Sequence, residues 1–311
     1  MKTWRIGTRG SPLALAQAQE VRQRLIAAHP ELAGERRLEI VVITTTGDRD
    51  RSRPLSEIGG KGLFTKEIEE ALIDGRIDLA VHSMKDVPTW LPEGLEISTV
   101  LPREDARDAL FSTAGDSLAS LPAGARVGTV SLRRQAQILA ARPDLKVAPI
   151  RGNVDTRLRK LAEGEVDATL LAVAGLRRLG QAERITAALA PEEMLPAVAQ
   201  GAIGLEVRSA DDAAKALLAP LNDADSAVRV GAERACLEVL DGSCRTPIAA
   251  YAELNGGRLR LRGLVAAPDG SQVFQAEAEG APEEAAGLGK ALGQELRIEA
   301  GEPFFKALEH L

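Results

Sequence analysis

The sequence predicts an α/β protein, two α/β lobes followed by a C-terminal α+β segment with a small antiparallel sheet, and three observations predict it. Near-continuous apolar runs, Ile40-Val41-Val42-Ile43 and Leu170-Leu171-Ala172-Val173, suit strands buried on both faces, as in a parallel sheet. Helical stretches opened by serine or asparagine caps alternate with those runs. After Pro220 the turn signals become those of antiparallel strands.

Taken in order, Arg5–Gly7 reads as a strand. Ser11 then opens a helix over Pro12–Ala28, with proline at the first helical position, where its missing N–H is no loss. Leu38–Thr44 reads as a strand, Gly62–Asp74 as a helix and Ile77–His82 as a strand. The middle repeats this order. Val127-Gly128-Thr129 leads through Ser131 into a helix stopped at Pro143, Asn153 caps a helix to Glu163, and Val166–Val173 is a strand. Ile6-Gly7-Thr8-Arg9-Gly10-Ser11 echoes Val127-Gly128-Thr129-Val130-Ser131, and Gly75-Arg76-Ile77-Asp78 echoes Gly164-Glu165-Val166-Asp167. Their separations differ, so this is shared topology and not a tandem repeat. Beyond Pro220, Ser226–Leu240 reads as a helix carrying Cys236 inward, and residues 241–245 as a loop bearing Cys244. Strands over Ile248–Leu254, Arg258–Ala266 and Ser271–Ala278, with a turn at Asp269-Gly270, precede a helix from Pro282 to Ile298.

A net charge of −6 and 3% aromatic residues argue against a nucleic-acid protein. No run is long and apolar enough to span a membrane. The Met1–Gly10 start has no apolar signal core, so a cytoplasmic protein with reduced cysteines is expected. With 311 residues, two or three domains are expected. Three histidines and two cysteines without ligand spacing predict no metal site.

Within this acidic chain, Arg9, Arg133, Arg134, Arg151 and Arg157 recur beside glycines and serines. Such local basic loops suit a small anion. Ser11 and Ser131 head helices whose N-termini favour negative charge, and they are equally plain caps worth about 1 kcal/mol each. Arg157 lies one turn into the helix capped by Asn153; a solvated helix charge is the alternative. Ile58-Gly59-Gly60-Lys61-Gly62 is not a phosphate loop, and reads as a lid or a simple loop. His82-Ser83-Met84-Lys85-Asp86 stands at the carboxyl end of a strand, where α/β proteins place chemistry. Asp86 can stabilise a cation there or cap a turn, while His82 reads as packed. Cys244, beside Arg245, has the more reactive setting, and Cys236 reads as a buried small apolar group.

These stretches resemble the porphobilinogen deaminases. They include RIGTRGSPLALAQA (5–18), GGKGLFTKE (59–67), DLAVHSMKDVP (78–88), GTVSLRRQAQ (128–137), RGNVDTRLRKL (151–161), LAVAGLRRLG (171–180), PAVAQGAIGLE (196–206) and LDGSCRTPIAAYAEL (240–254). The resemblance covers essentially the whole chain. It implies two periplasmic-binding-protein-like α/β lobes, 1–101 with 197–219 and 102–196, and an α+β domain over 220–311. It implies a dipyrromethane cofactor joined by a thioether to Cys244. On that cofactor four porphobilinogens are coupled with loss of ammonia, and hydroxymethylbilane is then released by hydrolysis. Asp86 matches the catalytic aspartate. Lys85, Asp86, Ser131, Arg133, Arg134 and Arg157 match cofactor-binding positions. Arg9, Ser11, Lys61, Phe64, Arg151, Arg157, Arg178 and Gln200 match substrate-binding positions. A monomer without nucleic-acid or membrane partners is implied. The chain departs from many relatives at Glu57, Val130 and Ser243. A non-catalytic two-lobe binder of a small polyanion is the competing expectation from a different class.

Overall fold

The chain folds into two units, residues 1–104 with 202–227, and residues 105–201 with 228–311. The computed structural model describes residues 2–34, 37–49, 62–240 and 246–309. Glu57, Lys61, Ser243 and Cys244 lie outside the described residues.

The first unit opens with β1 (Trp4–Arg9), α1 (Pro12–Ala28), β2 (Leu38–Ile43), the short α2 (Thr46–Arg49) and α3 (Lys66–Ile73). It continues with β3 (Leu79–Ser83) and β4 (Leu95–Val100). The second unit holds β5 (Asp108–Ser112), β6 (Arg126–Gly128), α4 (Leu132–Ala141), β7 (Lys146–Ala148) and α5 (Val154–Ala162). Then follow β8 (Ala168–Ala172), α6 (Val173–Arg178) and β9 (Ala187–Ala188). The chain returns to the first unit with β10 (Ile203–Arg208) and α7 (Asp212–Leu218). It ends with α8 (Ala224–Val239), β11 (Ile248–Asn255), β12 (Arg258–Ala266), β13 (Val273–Gly280), α9 (Ala285–Ala300) and α10 (Glu302–Glu309).

Both α/β sheets have five strands, in the orders β2-β1-β3-β10-β4 and β7-β6-β8-β5-β9. The sequence echoes fall at matching places, since β1 and β6 are each second from the edge, next to β3 and β8. Asp78 accepts the Arg5 backbone N–H at 2.9 Å, and Asp167 accepts that of Arg126 at 2.7 Å. Gly75 and Gly164 turn the chain with φ of 69° and 73°, a conformation that glycine adopts freely. The expected parallel sheets are in fact mixed. β10 runs antiparallel to β3 and β4, as β5 does to β8 and β9. Each is the first strand laid down after the chain changes unit, so no helical crossover within its own sheet sets its direction.

Among the elements the sequence marked, the remaining differences lie at their ends. Residues 62–65 form a turn ahead of α3, β8 stops at Ala172 because Val173 already begins α6, and β13 starts two residues later than expected. The short strands β7 and β9 carry too little periodicity to be read from sequence.

Side chains fill both faces of each sheet. In the first unit, Val21 and Leu25 of α1 pack on Ile6, Leu79 and Leu205, while Ile68 and Leu72 of α3 cover Ile77 and Ala80. In the second, Ile138 of α4 packs with Val127 and Leu170 on one face, and Leu158 and Leu161 of α5 with Ala109 and Leu171 on the other. Each fully buried leucine or isoleucine contributes about 1.5–3 kcal/mol.

The third sheet is antiparallel, β11-β12-β13, and α9 lies on it. Gly263 leaves room for Leu292 and Leu296 of α9. Gly289 and Gly293, one turn apart on α9, let that helix approach α8 closely. A Cβ on Gly289 would strike the Ala232 carbonyl oxygen, and one on Gly293 would lie 2.8 Å from the Cys236 carbonyl oxygen. Backbone cannot yield as a side-chain tip can. Gly289→Ala is therefore expected to destabilise by about 1–3 kcal/mol, against a helix-propensity gain of roughly 1 kcal/mol. Denaturant unfolding measures the net sign, and a stabilised variant would refute the close approach.

Candidate functional site

In the first unit the carboxyl ends of β1 and β3 are tied together by α1. The Ser11 hydroxyl accepts the Ala14 N–H at 3.2 Å, capping the helix. Buried Gln17, two turns on, donates its amide N–H to the Ser83 hydroxyl at 2.9 Å. Directly after Ser83, Met84–Asp86 forms a single 3-10 turn whose Met84 N–H donates to the Ala202 carbonyl at 3.0 Å. That turn presents Lys85 and Asp86. Arg9, Ser11, Phe64, Lys85 and Asp86 line one pocket together with Gln17 and His82. Five residues scattered through the sequence reading are thus brought together.

Arg9 is held from two sides. Its Nε and Nη2 donate to the two Asp48 carboxylate oxygens at 3.1 and 2.6 Å, and its guanidinium lies 4.0 Å from the centre of the Phe64 ring. Burial works to raise the Asp48 carboxyl, but hydrogen bonds from Arg9 and Thr45 outweigh it and hold it below its ordinary value. His82 is packed, as its sequence setting predicts, with Nε2 2.8 Å from the Glu206 carboxylate in the sheet interior. Beside it, burial pushes the Glu69 carboxyl up; the Thr65 hydroxyl opposes this, and the Glu206 charge adds to the rise.

In the second unit, Ser131 caps α4 by accepting the Arg134 N–H at 3.4 Å. The two arginines that follow are buried. They are 5% and 6% exposed and turn onto Asp108, which has no exposure at all. Arg134 donates from Nε at 3.0 Å and Nη2 at 2.6 Å to Asp108 Oδ1, while Arg133 Nη1 is 2.8 Å from Oδ2. Burial alone would raise the Asp108 carboxyl; the two guanidiniums reverse that and hold it far below the carboxylate range. A buried guanidinium needs a buried counter-charge.

Gln200 joins the same cluster, donating from Nε2 to the Ala106 carbonyl at 2.7 Å and to Asp108 at 3.1 Å. Ala199 beside it has φ of 57°, and its N–H is fixed by the buried Glu233 carboxylate at 2.6 Å. Arg178 closes α6 by donating to the Gly201 carbonyl at 3.1 Å. Arg157 donates from Nε to the Gly152 carbonyl at 3.0 Å. Burial, with repulsion from Arg134 and Arg151, pushes its guanidinium down to about 10.

Asp48 and Asp108 are the counter-charges of Arg9, Arg133 and Arg134 that the sequence did not reveal. The one signal for Asp108 is an acid heading the apolar run Ala109-Leu110-Phe111. Buried Cys236 is pushed up to about 12, chiefly by burial and then by the Glu233 charge, which disfavours its thiolate. Among the described residues no group of histidine, cysteine and acidic side chains could hold a metal ion, and no helix is long and apolar enough to cross a membrane.

The class that fold and site define is an α/β protein with two mixed five-stranded sheets, in which forked cationic donors suited to carboxylates gather at helix N-termini and strand ends. Residues 4–216 match the family model described as porphobilinogen deaminase, dipyromethane cofactor binding domain, and residues 227–297 match the porphobilinogen deaminase C-terminal domain. The chain belongs to the porphobilinogen deaminase family. It is 59% identical to the porphobilinogen deaminase of Paracoccus denitrificans, over 97% of this chain and 96% of that one. It is 58% identical to the chloroplastic enzyme of Oryza sativa subsp. japonica, over 98% and 86%. Among solved structures, a nutrient binding protein from Burkholderia cenocepacia bound to methionine aligns over 70% of this chain and 90% of its own, with 14% identity and a TM-score of 0.42.

Because the Arg157 charge is disfavoured by burial and then by repulsion from Arg134 and Arg151, its removal should not weaken the ligand-free fold. A base whose folded value is lowered costs stability while charged, and the cost fades as pH rises past about 10. Arg157→Leu is expected to keep or raise the melting temperature of cofactor-free protein at pH 7. A drop of several degrees would show that the charge is stabilising there.

Proposed function

We propose that this chain condenses four porphobilinogens head to tail, releasing ammonia at each step, on a dipyrromethane held covalently by Cys244. Hydrolysis then frees hydroxymethylbilane. The observation that carries the reading is the charge imbalance around α4, where one buried carboxylate faces two buried guanidiniums with Arg157 and Arg151 close by. Every pyrrole unit bears an acetate and a propionate, so this surplus fits the cofactor's chemistry. When bound, dipyrromethane supplies the pyrrole carbon that is extended.

The chain's own residues then divide the work. Ser131, Arg133, Arg134 and Arg157 hold cofactor carboxylates, with Lys85 and Asp86 also facing the cofactor. Arg9, Ser11, Lys61, Phe64, Arg151, Arg178 and Gln200 receive the carboxylates and ring of the incoming porphobilinogen, a role Arg157 shares. Asp86 accepts hydrogen bonds from pyrrole N–H groups and stabilises the cation formed as ammonia departs. A preorganised carboxylate at developing charge contributes several kcal/mol. Three domains, 1–101 with 197–219, 102–196 and 220–311, a monomeric state and a cytoplasmic site of action complete the reading. The acidic net charge supports the absence of nucleic-acid partners.

Intact mass of the denatured protein tests the attachment. The wild-type chain and Cys236→Ser should carry the mass of two linked pyrroles, and Cys244→Ser should not; cofactor retained on Cys244→Ser would sink the assignment. Asp86→Asn should keep that mass yet turn over about 10²–10³-fold more slowly. Turnover within a few-fold of wild type would remove Asp86 from its role.

A further inference from the structure

Asp108 stands outside every motif of the sequence, yet three side chains converge on it. Its Oδ1 receives Arg134 Nε and Nη2 and Gln200 Nε2, and its Oδ2 faces Arg133 Nη1. Main-chain carbonyls brace the same groups. Leu170 accepts from Arg134 Nη1 at 2.8 Å, Leu195 accepts from Arg133 Nη1 at 2.7 Å, and Ala106 accepts from Gln200 at 2.7 Å. Each guanidinium has five N–H donors, so these bonds leave donors over on both arginines.

The charge count points the same way. Two guanidiniums beside one carboxylate leave one positive charge in surplus in a nearly closed site. Adjacent like charges taken out of water repel unless a counter-charge lies between them. Asp108 occupies that place, which makes side-by-side arginines tolerable and fixes the direction of their forks. A neutral residue would leave more positive charge but no defined geometry.

We infer that Asp108 is the positioning residue of the cofactor cradle: it locks Arg133 and Arg134 against each other, so that their remaining donors form a preset carboxylate site which a dipyrromethane carboxylate completes. This rests on the reading above that the two arginines hold the cofactor. Asp108 itself touches neither cofactor nor substrate. Its effect reaches them through the orientation of the guanidiniums, and a misplacement of the order of 1 Å at such a site costs up to about a hundredfold in rate.

The test uses cofactor-free protein from a host that makes no porphobilinogen, incubated with porphobilinogen and followed by intact mass over time. Wild type, Asp108→Asn and Asp108→Glu are compared, each with a thermal unfolding curve. Asp108→Asn should gain the dipyrromethane mass at least about tenfold more slowly than wild type. Asp108→Glu keeps a carboxylate for the same forks, and its loading should be severalfold faster than that of Asp108→Asn. A purely structural role would lower the melting temperature without this pattern of loss and rescue. Loading of Asp108→Asn at the wild-type rate or faster overturns the inference. So does an Asp108→Glu chain that melts cooperatively but loads no faster than Asp108→Asn. Should Asp108→Asn fail to fold, Asp108→Glu decides alone, with mass uptake in support and a folded chain without uptake against. A wild-type chain that gains no mass defeats the functional reading itself, an outcome distinct from equal loading by wild type and Asp108→Asn.

Discussion

A carboxylate with no solvent exposure is costly to ionise, by several kcal/mol even after the protein relaxes around it. Asp108 is ionised because Arg133 and Arg134 lie against it, and those arginines can be buried because Asp108 is there. Removing one member of such a set costs about 3–5 kcal/mol, since the rest are left uncompensated. Much of the second unit is arranged to sustain this contact. β5 delivers the aspartate, α4 delivers both arginines from its first turn, and Leu170 and Leu195 offer carbonyls where the guanidiniums need acceptors.

The same constraint explains a strained backbone nearby. Among the described residues Ala199 alone, outside glycine, has a left-handed φ, and its N–H is held by buried Glu233. Glu233 also accepts the Ala252 N–H at 2.8 Å, so one buried carboxylate joins this turn to β11. The turn in its strained form brings Gln200 to Asp108. Strain of this kind, of order 1–3 kcal/mol, persists where surrounding contacts over-determine it. The first unit uses a lighter version of the arrangement, with half-buried Asp48 and the Phe64 ring steadying Arg9.

Membership of the porphobilinogen deaminase family accords with this economy of charge. A growing pyrrole chain multiplies carboxylates, and forked donors at capped helix starts can meet them without rearranging. The two α/β sheets share strand order, glycine turns and aspartate-to-backbone bonds, yet differ in their chemistry. In the first, β3 runs into a 3-10 turn carrying Lys85 and Asp86; in the second, β6 leads into a helix carrying Arg133 and Arg134.

Sequence by itself determined the elements whose signals are local. Apolar runs marked β2 and β8, serine and asparagine caps marked α1, α4 and α5, and glycine with aspartate marked the entries to β3 and β8; these depend on neighbours a few residues away. The motif residues at strand ends were legible for the same reason. Tertiary structure alone decided the direction of β5 and β10, because a strand that arrives from another unit takes its orientation from partners far along the chain. It alone revealed Asp48 and Asp108, whose meaning lies in arginines 39 and 25–26 positions away. A counter-charge is chosen by distance in space, and no spacing along the chain records it.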